Sequence, residues 1–112
     1  MIEKKVNSFA CQCGCGFNNT SLDFIDIILG IEKKYACCII VTSGCRCRQH
    51  NKDIGGKDDS RHTYCDTCDF TTVPIAMLKI ISKDLDENWE GGFHYYPEKN
   101  IIHLDRGDKR RW

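Results

Sequence analysis

The sequence predicts one small α+β domain, residues 1–112, in which an antiparallel sheet packs against two main helices. Three observations lead to this prediction. The length of 112 residues is enough for one hydrophobic core and too short for two. Two segments carry apolar residues at helical spacing, and four short apolar runs have the length and composition of strands. Their order, helix–strand and then strand–helix–strand–strand, is typical of an α+β fold.

The first half of the chain begins with a segment that favours irregular structure. Residues 1–19 are polar and glycine-rich and contain the cysteines of "CQCGCG". A helix is predicted in "NNTSLDFIDIILGIEKKY", where Thr20 or Ser21 can cap the first turn and Lys33 and Lys34 suit the C-terminal end of the helix dipole. The apolar run "CCIIVT", residues 37–42, then predicts a buried strand.

The second half follows a loop, "SGCRCRQHNKDIGG", that has room for one helical turn. A strand is predicted from near Asp69, in "CDFTTV", and a second helix in "PIAMLKIISKDLDEN", with Pro74 in its first turn. One face of that helix is apolar, through Ile75, Leu78, Ile81 and Leu85. Two closing strands, "FHYYP" and "NIIHLD", are predicted to be joined by a turn at 97–100.

Charge and hydropathy disfavour several classes of partner. Lys+Arg and Asp+Glu both number 16, so the formal net charge is zero, whereas binders of nucleic acid or of anionic membranes usually carry a basic excess. No apolar stretch approaches the ~20 residues of a membrane span. The start "MIEKKVNSFACQC" lacks the apolar run of a signal peptide. We therefore expect folding in a cytoplasm, no nucleic-acid or membrane partner, and a monomer.

The cysteine content allows three interpretations. The chain has nine cysteines, an odd and high number. Without an export signal, reduced thiols are favoured over a disulfide framework. A structural zinc site held by the "CQCGC" and "CRC" loops is the second interpretation, and a disulfide between these loops is the third; the cysteines concerned are Cys11, Cys13, Cys15, Cys45 and Cys47.

Harder ligands are also present, in His62, Asp69 and His103. A catalytic zinc takes three protein ligands through nitrogen and oxygen and leaves a fourth position to water. His62 precedes a predicted strand, Asp69 lies in or near that strand, and His103 lies in the last predicted strand. Spacing alone does not distinguish this triple from other combinations that four histidines offer.

A series of ordered motifs resembles the peptidase M15 family, in its small phage and bacterial branch. The motifs are "SGCRCRQHN", the pair Gly55–Gly56, "SRH" with Asp69 seven residues beyond the histidine, and the late "GGFHYYPEKNIIHLD". The resemblance extends from Phe9, in "FACQCGCG", to Trp112. It implies a compact α+β fold related to the hedgehog signalling domain, and the activity of a zinc D,D-carboxypeptidase or endopeptidase on peptidoglycan stem peptides.

The resemblance also implies roles for individual residues. His62, Asp69 and His103 would be the ligands of Zn²⁺, and Arg46 would contact a substrate carboxylate or the polarised carbonyl oxygen. Ser60 and Asn51 match supporting positions. One departure matters, because the family usually has glycine and alanine where this chain has Cys65 and Thr67. If that glycine serves a positive φ angle, Cys65 is a strained replacement.

Three residues near His103 are candidates for proton transfer and charge stabilisation. Asp105 lies two residues on and would face the same side of a strand, so it is the first candidate for the general base, with the alternative that it orients a histidine. Glu98 lies in the predicted turn before the strand and is the second candidate. His94 could stabilise the oxyanion, or could be a surface histidine of its strand.

The resemblance therefore implies a zinc-dependent peptidase that cleaves peptidoglycan stem peptides and serves in phage lysis. We expect it to remain in the cytoplasm until it is released to the cell wall; a location in the virion is the alternative. Two other functions stay open. One is a non-enzymatic, cysteine-rich zinc module that binds another macromolecule, and the other is a member of the same fold that has lost catalysis.

Overall fold

The chain is described by a computed structural model that covers residues 9–11, 15, 18, 20–56 and 65–111, without the side chain of Arg48. Most of the predicted N-terminal loop, residues 1–19, lies outside this range. The described elements follow in the order α1 (Leu22–Tyr35), β1 (Cys38–Ser43), α2 (Arg48–Asp53), β2 (Thr67–Val73), α3 (Met77–Asn88), β3 (Gly92–Tyr96), β4 (Ile101–Asp105) and β5 (Arg110–Arg111).

The five strands form one sheet in the order β1-β2-β4-β3-β5. The pairs β1–β2, β2–β4 and β3–β4 are antiparallel, which confirms the predicted α+β fold with two main helices. The sheet is mixed, however, because β5 pairs parallel with β3. The chain leaves β4 opposite Gly92, at the end where β3 begins, and turns around that end to run beside β3 in the same direction.

Helix α1 begins and ends as its sequence predicts. Ser21 caps the first turn, where its hydroxyl accepts a hydrogen bond from the backbone N–H of Phe24 at 3.2 Å. Ala36 ends the helix in the left-handed conformation, with φ of 50°. None of the helices within the described ranges is both long and apolar enough to cross a bilayer.

Helix α3 begins later than the sequence predicts. Pro74 lies in a preceding turn, which is closed by a hydrogen bond from the N–H of Met77 to the Pro74 carbonyl at 3.2 Å, and the helix starts at Met77. Ile75 therefore lies outside the helix and is 54% exposed, so its predicted place on the apolar face is wrong. The other predicted face residues are buried, namely Leu78, Ile81 and Leu85.

The two faces of the sheet differ in chemistry because side chains alternate along a strand. One face packs against α1 and α3 through the core residues Phe70, Phe93, Ile102 and Leu104. The residues between them point to the opposite face, and several of these are polar: Asp69 on β2, His94 on β3, and His103 and Asp105 on β4. The hydrophobic core thus fixes the position of a polar row on the other side.

A polar contact also joins the two helices. Asp84 on α3 accepts hydrogen bonds from Lys34 at 2.8 Å, from the hydroxyl of Tyr35, and from Asn88 at 2.7 Å. These donors lower the pKa of Asp84 to about 2, from 3.8, with the Lys34 hydrogen bond as the largest cause.

The folded protein should therefore lose stability as the pH falls from about 4 to about 2. Asp84 stays ionised in the native state at a pH where the unfolded chain binds a proton. Its contribution to stability is therefore complete above the unfolded pKa of 3.8, and it is lost as the pH falls to the native pKa of about 2. Urea unfolding of wild type and Asp84→Asn across this range measures the effect. If the free energy of unfolding of wild type and of Asp84→Asn changes with pH at the same slope, the prediction is wrong.

Candidate metal centre

Three polar residues lie side by side across neighbouring strands. In the antiparallel register Asp69 on β2 is opposite His103 on β4, and His103 is opposite His94 on β3. Directly opposed residues have Cβ atoms roughly 4.5–5.5 Å apart, on the same face of the sheet. Two of the three metal ligands predicted from the sequence, Asp69 and His103, are therefore brought together, with His94 beside them.

Both ring nitrogens of His103 are engaged by carboxylates. Nδ1 lies 2.8 Å from Oδ1 of Asp69, and Nε2 lies 2.8 Å from Oδ2 of Asp105. Burial of the ring lowers the pKa of His103, but the hydrogen bonds to Asp105 and Asp69 outweigh it and raise the pKa to about 9. The two carboxylates therefore favour the protonated form of the imidazole.

Asp105 is fully buried, and donors surround its carboxylate. Oδ2 accepts hydrogen bonds from His103 and from the guanidinium of Arg110, and Oδ1 accepts from the backbone N–H groups of Gly92 at 3.1 Å and Gly107 at 2.9 Å. Burial alone would raise the pKa of Asp105, but these contacts, with His103 the largest, lower it to about 2. The group is therefore held as an anion at a fixed position.

The backbone near Asp105 is shaped to admit this carboxylate. A Cβ atom on Gly92 would collide with the Asp105 side chain, so only glycine can occupy that position in β3. The indole N–H of Trp89 donates to the Asp105 carbonyl oxygen at 2.9 Å, which ties the end of α3 to the end of β4. Of the two roles that the sequence leaves open for Asp105, these contacts favour the orientation of His103 over proton transfer.

Arg46 lies in the loop between β1 and α2 and is oriented by a buried amide. Its Nη1 donates to Oδ1 of Asn51, which is 3% exposed, at 2.9 Å. A Cβ on Gly56 would collide with that amide, so the "GG" motif leaves space for it. Burial lowers the pKa of Arg46, and the negative charge of Asp69 opposes this shift. The guanidinium is thus close enough to the Asp69 end of the polar row for their charges to interact.

The other two candidate residues lie on the far side of His103. The ring of His94 packs edge-on against Tyr96, with centroids 4.3 Å apart. Glu98 is exposed in the turn 97–100 that joins β3 to β4, as predicted. The turn ends at Asn100, directly before β4, and His103 is the third residue of that strand.

His62 and Ser60, the remaining predicted site residues, fall outside the described range, so their assignments stay predictions. The described ligands are of the kind that a catalytic zinc takes. A carboxylate oxygen of Asp69 and an imidazole nitrogen of His103 lie 2.8 Å apart, and the side chain of Asp69 is 25% exposed. Asp105, on the other nitrogen of His103, matches the carboxylate that commonly orients a metal-binding histidine. The residues present therefore fit a zinc ion.

Cys65, just before β2, has a φ angle of 61°, in the left-handed region that glycine adopts most readily. For other residues the left-handed conformation costs about 1 kcal/mol or more. Cys65 is bonded to Cys45 in a disulfide that the sequence did not predict. It joins the Arg46 loop to the segment that leads into Asp69.

Loss of this disulfide should lower the free energy of unfolding by about 3 kcal/mol, because the bond closes a loop with a sequence separation of 20 residues. Urea unfolding of Cys45→Ala against wild type measures the change. Cys38→Ser is the matched control, since Cys38 is exposed on β1. A Cys45→Ala midpoint equal to that of Cys38→Ser would show that the bond contributes nothing to stability.

Thr67 occupies the other position at which this chain departs from the family pattern. Its hydroxyl is fully buried, donates to the Leu104 carbonyl at 3.0 Å, and lies 3.4 Å from Nε2 of His103. The Thr67 hydroxyl thus makes a hydrogen bond across the β2–β4 pair and lies next to the ring of His103.

Comparison with known proteins agrees with the motifs. The model of the family described as Peptidase M15 matches residues 3–105, which is nearly the whole chain. No curated protein and no solved structure matches the chain significantly. The match includes every strand of the polar row and the Arg46 loop.

Proposed function

The chain belongs to the peptidase M15 family, and on this basis we propose that it is a zinc-dependent peptidase acting on the stem peptides of peptidoglycan. The observation that carries the proposal is the arrangement of Asp69, His103 and Asp105 across β2 and β4. A carboxylate oxygen lies 2.8 Å from each ring nitrogen of His103, from Asp69 on one side and from Asp105 on the other. We propose His62 as the third zinc ligand, on the strength of the motif "SRH" with Asp69 seven residues beyond it.

When bound, zinc supplies a Lewis acid that polarises the scissile carbonyl and lowers the pKa of water. The chain's own residues do the rest. Asp105 holds Nε2 of His103 and so keeps Nδ1 directed at the metal position. Glu98, the exposed carboxylate in the adjacent turn, accepts the proton of the attacking water and passes it to the leaving amine. His94, beside His103, donates a hydrogen bond to the developing oxyanion.

The guanidinium of Arg46 binds the substrate carboxylate. Planar guanidinium groups match carboxylates through two parallel hydrogen bonds, and Asn51 fixes the orientation of this one. Stem peptides end in a free carboxylate and carry others along their length, so this chemistry suits them. The likeness of the motifs to phage members of the family supports phage lysis as the setting, with a monomer released from the cytoplasm to the cell wall.

Arg46→Lys should damage catalysis more than folding. Lysine keeps the positive charge but loses the planar fork, so turnover of a stem peptide should fall by more than about tenfold. The melting temperature should change little, because Arg46 is only partly buried and its contact with Asn51 is a hydrogen bond at the edge of the fold's core. Both quantities should be measured on the same preparation. A large fall in melting temperature with normal turnover per folded molecule would make Arg46 a structural residue.

A second function is favoured by one observation. Cys11, Cys15 and Cys47 lie close enough together to share a metal ion, as expected for a cysteine-rich zinc module that binds another macromolecule. In such a module the Asp69–His103 pair would have no catalytic use. A member of the family without catalysis is the other alternative, for which the departures at Cys65 and Thr67 are the motivation.

The test is hydrolysis by the zinc-loaded protein. Purified peptidoglycan and synthetic stem peptides are incubated with wild type and with His103→Ala, and the products are identified by mass spectrometry. Cleavage by wild type alone supports the peptidase and shows whether a terminal D-alanine or a cross-link is released. If wild type with full zinc cleaves neither substrate, the double change Cys65→Gly and Thr67→Ala is the next to make. Activity restored by that pair would identify a degenerate member of the family.

A further inference from the structure

A second group of potential metal ligands lies apart from the Asp69–His103 pair. The sulfur atoms of Cys11, Cys15 and Cys47 all lie within 4.8 Å of one another. They come from two places in the chain, since Cys11 and Cys15 precede α1 whereas Cys47 immediately precedes α2. Cys11 is buried, Cys47 is half-buried and Cys15 is exposed, so the group is within reach of solvent on one side.

The two segments that supply these thiols are held together by close backbone packing. The N–H of Cys45 donates to the carbonyl oxygen of Phe9 at 2.7 Å. A Cβ atom on Gly44 would lie 2.6 Å from the same oxygen, so only glycine allows this approach. The ring of Phe9 is fully buried in the core against Phe24. The proximity of Cys11 to Cys47 is therefore built into the fold.

Backbone N–H groups and a cation lie next to the sulfur atoms of Cys11 and Cys47. The backbone N–H of Cys47 donates to Sγ of Cys11 at 3.4 Å, and that of His50 donates to Sγ of Cys47 at 3.4 Å. The guanidinium of Arg46 is close enough for its charge to interact with Cys11. These two hydrogen bonds hold the sulfur atoms of Cys11 and Cys47 in place beside the start of α2.

We propose that Cys11, Cys15 and Cys47 bind a structural Zn²⁺ ion through three thiolates, separate from the proposed catalytic zinc. Tetrahedral zinc with Zn–S bonds of ~2.3 Å places its sulfur ligands about 3.8 Å apart, which the present group reaches by a small contraction. Binding releases the thiol protons to solvent and involves no oxidation. Three thiolates and Zn²⁺ leave one negative charge, which Arg46 is placed to balance.

The proposed site would fasten the N-terminal segment to the loop that carries Arg46. Cys47 follows Arg46 directly, and Cys45 on its other side is bonded to Cys65. The loop would then be restrained on both sides of the arginine. This inference does not depend on peptidase activity.

Metal content and Co²⁺ spectra test the proposal. Wild type, Cys15→Ser, Cys47→Ser and His103→Ala are loaded with Zn²⁺ and separately with Co²⁺ under reducing conditions, with Cys38→Ser as the control for an exposed thiol. Wild type should hold about two zinc ions, and Cys15→Ser and Cys47→Ser should each lose about one. Co²⁺-loaded wild type, Cys38→Ser and His103→Ala should show thiolate-to-cobalt charge-transfer absorption, which the two cysteine variants should lose. Cys15 is exposed, so its replacement should leave the fold intact.

Two results would overturn the proposal. One is Co²⁺-loaded wild type without charge-transfer absorption, and the other is a Cys15→Ser variant that keeps both its absorption and its metal content. The same experiment tests the proposed catalytic zinc site separately, through the metal content of His103→Ala. If His103→Ala leaves metal content unchanged while the cysteine variants lose metal, the thiolate site stands and the proposed peptidase centre does not.

Discussion

Replacing His103 by alanine is expected to abolish hydrolysis and to remove one zinc ion. His103 is 9% exposed and lies between two carboxylates, so no other described side chain can take its place at the same position. Loss of a Lewis acid removes several kcal/mol of transition-state stabilisation. About 4 kcal/mol corresponds to a loss of about a thousandfold in rate. Turnover of stem peptides and zinc content per chain are the two measurements.

His94→Ala is the matched control for this experiment. His94 lies opposite His103 in the β3–β4 register, but its ring packs against Tyr96. We expect the control to keep its zinc and to lose only the part of the rate that a single oxyanion donor supplies, roughly 10²–10³-fold. If His103→Ala retains full zinc and His94→Ala loses it, the metal lies on the β3 side and our ligand assignment is wrong.

Asp105→Asn is expected to lower zinc affinity about 10–100-fold, because the amide cannot hold the His103 imidazole as a carboxylate does. The variant should also be less stable by about 1–3 kcal/mol. Asparagine turns an NH₂ group towards donors that the carboxylate now accepts from, including Arg110 and the backbone of Gly92. Zinc competition titration and urea unfolding measure the two effects. Hydrolysis at saturating zinc should fall less than affinity does.

Glu98→Gln is the contrasting variant. Glu98 is exposed in its turn, so zinc affinity and stability should stay at wild-type values. Hydrolysis should fall by roughly 10²–10⁴-fold, which is the usual contribution of a general base. An Asp105→Asn variant with normal zinc affinity and stability but no hydrolysis would instead identify Asp105 as the base, as the sequence alone predicts. If both variants hydrolyse normally, neither carboxylate is the base, and the His94→Ala variant tests His94 in that role.

Much of the fold follows from local patterns in the sequence. Some features depend only on residues close together in the sequence. They are the cap at Ser21, the apolar stripe of α3 and the alternation in β2 and β4, and such local patterns can be predicted without knowing the tertiary structure. The start of α3 was predicted three residues early, because Pro74 is compatible with both a first helical turn and a preceding turn. The parallel strand β5 has two residues, too few for any periodicity to predict it.

The sequence by itself determined the family, through ordered motifs, and with it the candidate ligands Asp69 and His103. Only the tertiary structure showed what surrounds the Asp105 carboxylate, and these surroundings favour one of its two roles. Spacing places Asp105 on the same face as His103, but the burial of its carboxylate and the donors from Gly92, Gly107 and Arg110 come from other parts of the chain. The partners of the cysteines were decided in the same way. The sequence left three interpretations of the cysteines open, and which thiols meet depends on how Phe9 packs into the core.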